Sequence, residues 1–208
     1  MTQDEGNEFD ASFWDRMYSH RHAARRDEPN PILAEVAEGL APGVALEVGC
    51  GEGTDALWLA KRGWTVTAAD ISRVALERAR AADTAGAVTW LQTDLLAWRP
   101  PSDTFDLVSA HYLHFPPDER SAFFEGLARA TRRGGTFLFV AHHPSDRDST
   151  IGRPSIPDLY FTSEEFAASL EPASWTIVFG GTRPRSARDR EGREIVIHDM
   201  MLHAKRIS

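Results

Sequence analysis

Cysteine is almost missing from this chain: Cys50 is the only one in 208 residues. One thiol cannot close an internal disulfide, so a cross-linked scaffold is excluded and a reducing compartment, by default the cytoplasm, is expected. An excess of basic residues is missing too. With 23 Lys and Arg against 31 Asp and Glu, the net charge is −8. A field of that sign repels nucleic acid and anionic membrane surfaces, and neither is expected as a partner. No apolar run approaches the roughly 20 residues of a membrane-spanning helix. The first eight residues are polar and acidic where a signal peptide would be basic and then apolar. Internal repeats, low-complexity tracts and linkers are absent as well, so the length favours a single domain over residues 1–208. Oligomeric state leaves no mark in the pattern.

What is present is an alternation. Phe13, Trp14, Met17 and Tyr18 predict one face of a short helix, and Ile32, Leu33, Val36, Ala37 and Leu40 predict a second, closed by Pro42 and Gly43. From residue 44 strands and helices take turns: strand 44–49, helix 54–62 stopped by Gly63, and a strand ending at Asp70. Ser72 then caps a fourth helix. Strand 88–93, strand 105–111, helix 118–132 and strand 136–142 continue the series. Such repetition implies an α/β fold, with a doubly wound parallel sheet and right-handed crossovers. Thr162 to Glu165 reads as a capping box for a short helix to Leu170. Two strands, 175–181 and 194–203, follow without a helix between them and are expected to pair as an antiparallel hairpin.

At the first strand-to-helix turn the sequence reads Glu47-Val-Gly49-Cys-Gly51-Glu-Gly53. Three glycines there allow positive φ and let a ligand approach bare backbone. The dinucleotide fingerprint G-x-G-x-x-G needs its third glycine at position 54, which is Thr54. Asp70, 17 residues past Gly53, is suited to accept ribose hydroxyls, since a carboxylate offers several lone pairs.

The order G-x-G-x-G, preceded by Glu47, resembles the first motif of the class I S-adenosylmethionine-dependent methyltransferases. The run Gly51 to Ala60, then Gly63 to Thr67 and Asp70-Ile71-Ser72, is similar to the small tellurite-resistance and thiopurine-type members. That resemblance implies a Rossmann-like seven-stranded sheet in the order 3-2-1-4-5-7-6 with a C-terminal hairpin. It also implies S-adenosylmethionine as cofactor, S-adenosylhomocysteine as product, and a small-molecule methyl acceptor as partner. On the matching positions, Glu47, Gly49, Gly51 and Gly53 hold the amino acid and ribose parts, and Asp70 with Ile71 holds the ribose. Asp94 accepts the adenine amino group, Leu95 lies beside the ring, and Ala110 borders the methionine portion. Residues 1–30 form an arm or lid, with Trp14 and Tyr18 over the cofactor. Two other readings stay open, a nicotinamide-dependent oxidoreductase and a cofactor-binding module without catalysis.

Methyl transfer needs a base only where the acceptor must lose a proton. His111 or His142, at the ends of the fourth and fifth strands, is the candidate, and His114 and His143 lie close in sequence. His142, His143, Asp146 and Asp148 also cluster, but adjacent strand residues point to opposite faces, so no metal site is expected. The arginine-rich stretch 183–193 is expected to be a solvated hairpin connection.

Overall fold

The structure is a computed structural model that describes residues 9–20, 28–113, 115, 117–146, 160–189 and 191–208. Its strands form a seven-stranded sheet in the order β3-β2-β1-β4-β5-β7-β6, the order that the resemblance implies. The chain divides into two compact units, residues 1–99 and 100–208.

In the first unit, α1 (Ala11–His20) and α2 (Pro31–Glu38) precede β1 (Val44–Val48), α3 (Thr54–Lys61), β2 (Thr65–Asp70), α4 (Arg73–Ala82) and β3 (Val88–Gln92). Each helix starts where its chemistry allows. Asn30 caps α2 through its side chain, with Pro31 at the first helical position, and Ser72 caps α4 by accepting the Ala75 amide. The Asn30 amide donates to Asp55 Oδ1 at 2.7 Å, tying the start of α2 to the first turn of α3. The strands pair parallel, Ala45 beside Val66 and Val66 beside Val88. Leu46, Leu59 and Leu76 are fully buried in this unit. At about 1.5–3 kcal/mol for each large apolar side chain taken from water, that burial holds the helices to the strands.

The second unit holds β4 (Phe105–His111), α5 (Pro117–Ala130), β5 (Thr131–His142), a 3-10 turn (Pro144–Asp146), α6 (Ser163–Ala167), β6 (Trp175–Arg188) and β7 (Glu194–Arg206). Strands β4 and β5 are parallel, while β5 with β7 and β7 with β6 are antiparallel. An aromatic cluster fills its core: Phe124 stacks on Phe166 at 3.7 Å between centroids, and Phe137 and Phe139 meet Phe166 edge-on.

Several boundaries differ from the sequence reading. Strand β5 begins at Thr131 rather than 136, because the Gly134-Gly135 pair does not break the strand. The pairing shifts between Phe105 and Leu107, so residues 132–135 form a bulge. Gly135 is required there, since a Cβ would lie 2.8 Å from the Arg132 carbonyl and 2.9 Å from that of Phe105. Strand β3 stops at Gln92, which leaves Asp94 in the loop beyond it. The capping box of Thr162 and Glu165 is present, but α6 ends at Ala167, and turn bonds from Ser169 to Phe166 and from Leu170 to Ala167 carry the chain on to Leu170. The hairpin strands are longer than expected. Arg183, Arg185 and Arg188 therefore belong to β6, which corrects the reading of 183–193 as a hairpin connection. Cross-strand pairing, Arg183 beside Asp199 and Arg185 beside Ile197, draws these residues into the ladder.

Candidate active site

The glycine turn is held in place by backbone bonds. Gly49 and Cys50 both donate to the Ala69 carbonyl, at 2.8 and 3.1 Å, and Gly53 donates to the Cys50 carbonyl at 2.9 Å. Gly49, Gly51 and Gly53 have φ of 71°, 53° and 77°, a region that side chains other than glycine's rarely enter. The Gly51 amide donates to Asp70 Oδ2 at 2.8 Å, and the Ser72 amide to Asp70 Oδ1 at 2.8 Å. Each Asp70 oxygen thus keeps lone-pair capacity beyond its backbone bond. Burial pushes the Asp70 carboxyl up from its ordinary value, with the Ser72 and Gly51 amides pulling it back.

What lies against the glycines differs from one to the next. A Cβ at Gly51 would come within 2.6 Å of the Tyr18 hydroxyl, so α1 brings Tyr18 onto the bare backbone of the loop. A Cβ at Gly53 would run into the Trp90 ring and lie 3.1 Å from Ala79, so that glycine makes room for core packing. Trp90 is held there by its indole N–H, which donates to Asp83 Oδ2 at 3.1 Å. Trp14 neighbours Tyr18 at 6.4 Å between ring centroids. Glu47 is buried near the end of β1, Leu95 is buried, and Asp94 is exposed, with Oδ1 accepting the Leu96 amide at 3.0 Å. Burial pushes the Cys50 thiol well above the ordinary thiol range, and the carboxylates of Asp70 and Glu47 push the same way. It stays protonated and is unsuited to be a nucleophile.

In the second unit, the strand ends carry a different set of groups. Asp199 on β7 is 1% exposed, and its Oδ2 accepts from Arg185 Nε at 2.6 Å and from the Tyr112 hydroxyl at 3.0 Å. Tyr112 follows β4 with φ of 54° and donates its amide to the Val140 carbonyl at 2.8 Å. Its ring lies 4.5 Å from that of His142, and His142 Nδ1 is 4.0 Å from Asp199 Oδ1. His111 pairs with Val140 in the parallel ladder, two residues from His142, so His111 and His142 share a sheet face. His143 turns away and meets Ser145 at 2.9 Å, while Asp146 engages His198.

Residues 45–135 match the family described as methyltransferase domain. This segment is a methyltransferase domain. An uncharacterised methyltransferase of Mycobacterium tuberculosis is 38% identical over 96 residues, 46% of this chain and 48% of that protein. The match therefore spans about half the length of that relative. Thiocyanate methyltransferase 1 of Brassica oleracea is 28% identical over 174 residues, covering 79% of this chain and 73% of that protein. Among solved structures, an S-adenosylmethionine-dependent methyltransferase from Mesorhizobium loti has the same fold. Its TM-score is 0.65 at 23% identity, over 85% of this chain and 96% of that one.

Within the matched segment and α1, the structure brings Gly51, Asp70 and Tyr18 together. Ile71 is the residue between Asp70 and the cap of α4, and Ala110 is fully buried in β4. His114 and Asp148 lie outside the described residues. Sequence reasoning missed Asp15, Trp90, Tyr112, Arg185 and Asp199. Asp15 carried a weak signal, a carboxylate three residues before Tyr18 at the border of the predicted aromatic face. Asp199 carried a weaker one, an acid inside an apolar strand. Among the described residues no helix is long and apolar enough to cross a membrane.

Proposed function

We propose that this chain transfers a methyl group from S-adenosylmethionine to a small-molecule acceptor. The observation that carries the reading is the bare Gly51 backbone: its amide is fixed by the buried Asp70 carboxylate, and a tyrosine hydroxyl lies over it. The methyl donor, when bound, supplies a methyl on a sulfonium that is already an activated leaving group. The protein's part is then to hold, align and keep out water. Glu47 and the glycine turn take the amino acid and ribose parts, and Asp70 with Ile71 takes the ribose hydroxyls. Asp94 and Leu95 take the adenine, and Trp14 and Tyr18 cover the donor from the arm. Tyr18 also offers π density, which attracts a sulfonium cation. Where the acceptor carries a proton, His142 or His111 receives it.

A small acceptor agrees with the relative named a thiocyanate methyltransferase and with a second, 29% identical over 119 residues, named a probable thiol methyltransferase of Arabidopsis thaliana. Thr54, 9% exposed, fills the place of the third glycine of a dinucleotide loop, which argues against a nicotinamide enzyme. Calorimetry with S-adenosylhomocysteine tests the reading. Micromolar binding that Asp70→Ala weakens is expected, and absence of binding by the wild type overturns it. Binding without turnover across an acceptor panel would instead leave a cofactor-binding module.

A further inference from the structure

Asp199 is the least expected group in the second unit. A carboxylate buried to this degree must be paired or hydrogen-bonded, and one oxygen is fully engaged: Oδ2 accepts from both Arg185 and Tyr112. Its other oxygen, Oδ1, is buried and has no hydrogen-bond partner among the described residues, and His142 Nδ1 lies 4.0 Å away. His142 Nδ1 is itself buried, whereas 19% of the His142 side chain is accessible. The accessible part therefore belongs to the rest of the ring, with Nδ1 on the carboxylate side.

Tyr112 adds a second sign in its backbone and its ring. A non-glycine residue with φ of 54° is strained and persists only where its surroundings insist on it. Here the Val140 carbonyl holds its amide, Asp199 holds its hydroxyl, and its ring lies at 31° to that of His142. The strain places one side chain against both members of the pair.

We propose that Asp199, held by Arg185 and Tyr112, is a positioning residue that keeps His142 in its Nδ1–H form, leaving Nε2 to take the proton of a small thiol acceptor. The inference rests on the methyltransferase reading above. The step balances. The acceptor's S–H bond breaks, its proton passes to Nε2 of His142, and a sulfur lone pair forms the new S–C bond as the methyl's bond to the donor sulfonium breaks. The positive charge that was on the sulfonium ends on the imidazole. A thiol suits this base better than a phenol or an alcohol: reference values are about 6.5 for histidine, 8.5 for a thiol and 10 for a phenol, so only the thiol lies within about two units. Acceptors with no proton to lose, such as halide or thiocyanate, would have no use for the pair.

Among the described residues, the charged and titratable groups on neighbouring elements are His111 at the end of β4, Tyr112 just after it, Arg183 and Arg185 from β6, Asp199 from β7, and His143 next in the chain. The first test needs no turnover. In wild-type protein labelled with 15N-histidine and assigned with His142→Gln, neutral His142 is expected as Nδ1–H. Asp199→Asn should convert it to Nε2–H. A wild-type Nε2–H form overturns the proposal even if the variant folds poorly. The second test uses 2-mercaptoethanol. Asp199→Asn should lower kcat about 100-fold or more without changing the KM for S-adenosylmethionine. The deficit should shrink as the pH rises through the thiol's own pKa, where the acceptor arrives ionised. A deficit independent of pH, or no methylation of 2-mercaptoethanol by a wild type that binds S-adenosylhomocysteine, overturns it. A wild type that binds no S-adenosylhomocysteine defeats the methyltransferase reading instead, and the tautomer still decides the pair.

Discussion

Asp15 on α1 accepts hydrogen bonds from the hydroxyl of Ser72 at 2.7 Å and the amide of Val74 at 3.1 Å, so a residue of α1 shares the N-terminal cap of α4. That bond fixes α1 beside the turn that follows Asp70. Removing the carboxylate in Asp15→Ala should speed amide exchange across residues 11–20 and cost about 1 kcal/mol or less in global stability, the size of a lost cap. Exchange unchanged in α1 would show that the aromatic residues dock it alone.

The same contact has a pH dependence of known sign. Burial is the largest single influence on the Asp15 carboxyl and works against its charge, but the Ser72 hydroxyl, the Val74 and Arg73 amides and the Arg73 charge together outweigh it and hold the carboxyl below its ordinary 3.8. A lowered folded value means that the contribution is complete above pH 3.8 and is lost as the pH falls through the folded value. The Asp15 carboxyl carbon, followed by NMR, should titrate below the midpoint of a free aspartate. A midpoint at or above it contradicts the contact.

Gly51→Ala places a side chain at φ of 53° with its Cβ 2.6 Å from the Tyr18 hydroxyl. The backbone cost is about 1–3 kcal/mol, and the close contact adds to it. Tyr18→Phe in the same chain removes the oxygen and leaves ring carbons at 3.6 Å or more, so the double variant should recover part of the lost stability. Urea unfolding of the four proteins measures the coupling, and strictly additive losses would deny the contact.

In the proposed function, Asp94 holds the adenine amino group. Asp94→Ala should weaken S-adenosylhomocysteine binding about tenfold, or roughly 1.4 kcal/mol, while leaving binding of the inosine analogue, which lacks that amino group, nearly unchanged. Equal weakening of both ligands would move Asp94 out of the adenine contact.

Phe124 anchors the second unit's core through its stack on Phe166 and its edge contact with Phe139. Phe124→Ala should cost about 3–5 kcal/mol, the range for a large aromatic side chain deleted from a packed core. Phe124→Leu should cost clearly less. Denaturant midpoints decide between them.

Most of the architecture was legible because it is local. The alternation of strand and helix, the cap at Ser72, the capping box of Thr162 and Glu165, and the positive-φ glycines at 49, 51 and 53 each depend on a few neighbouring residues and a short period. The ends of β3, β5 and β6 were less legible. Their limits are set by register against a neighbouring strand, and a bulge at 132–135 or a long hairpin ladder is a property of the pair.

The sequence by itself determined the order of elements, the glycine turn with Asp70 at the end of the second strand, and through them the kind of cofactor to expect. Only the tertiary structure decided which glycine lies open to the arm and which is filled by Trp90, and that Asp15 reaches across 57 residues to Ser72. It alone assembled Tyr112, His142, Arg185 and Asp199, which span 87 residues of chain. The physical reason is separation: backbone preferences and caps act within a turn of chain. A side-chain cluster exists only once pairing β5 with β7 and β7 with β6 brings distant residues within hydrogen-bond reach.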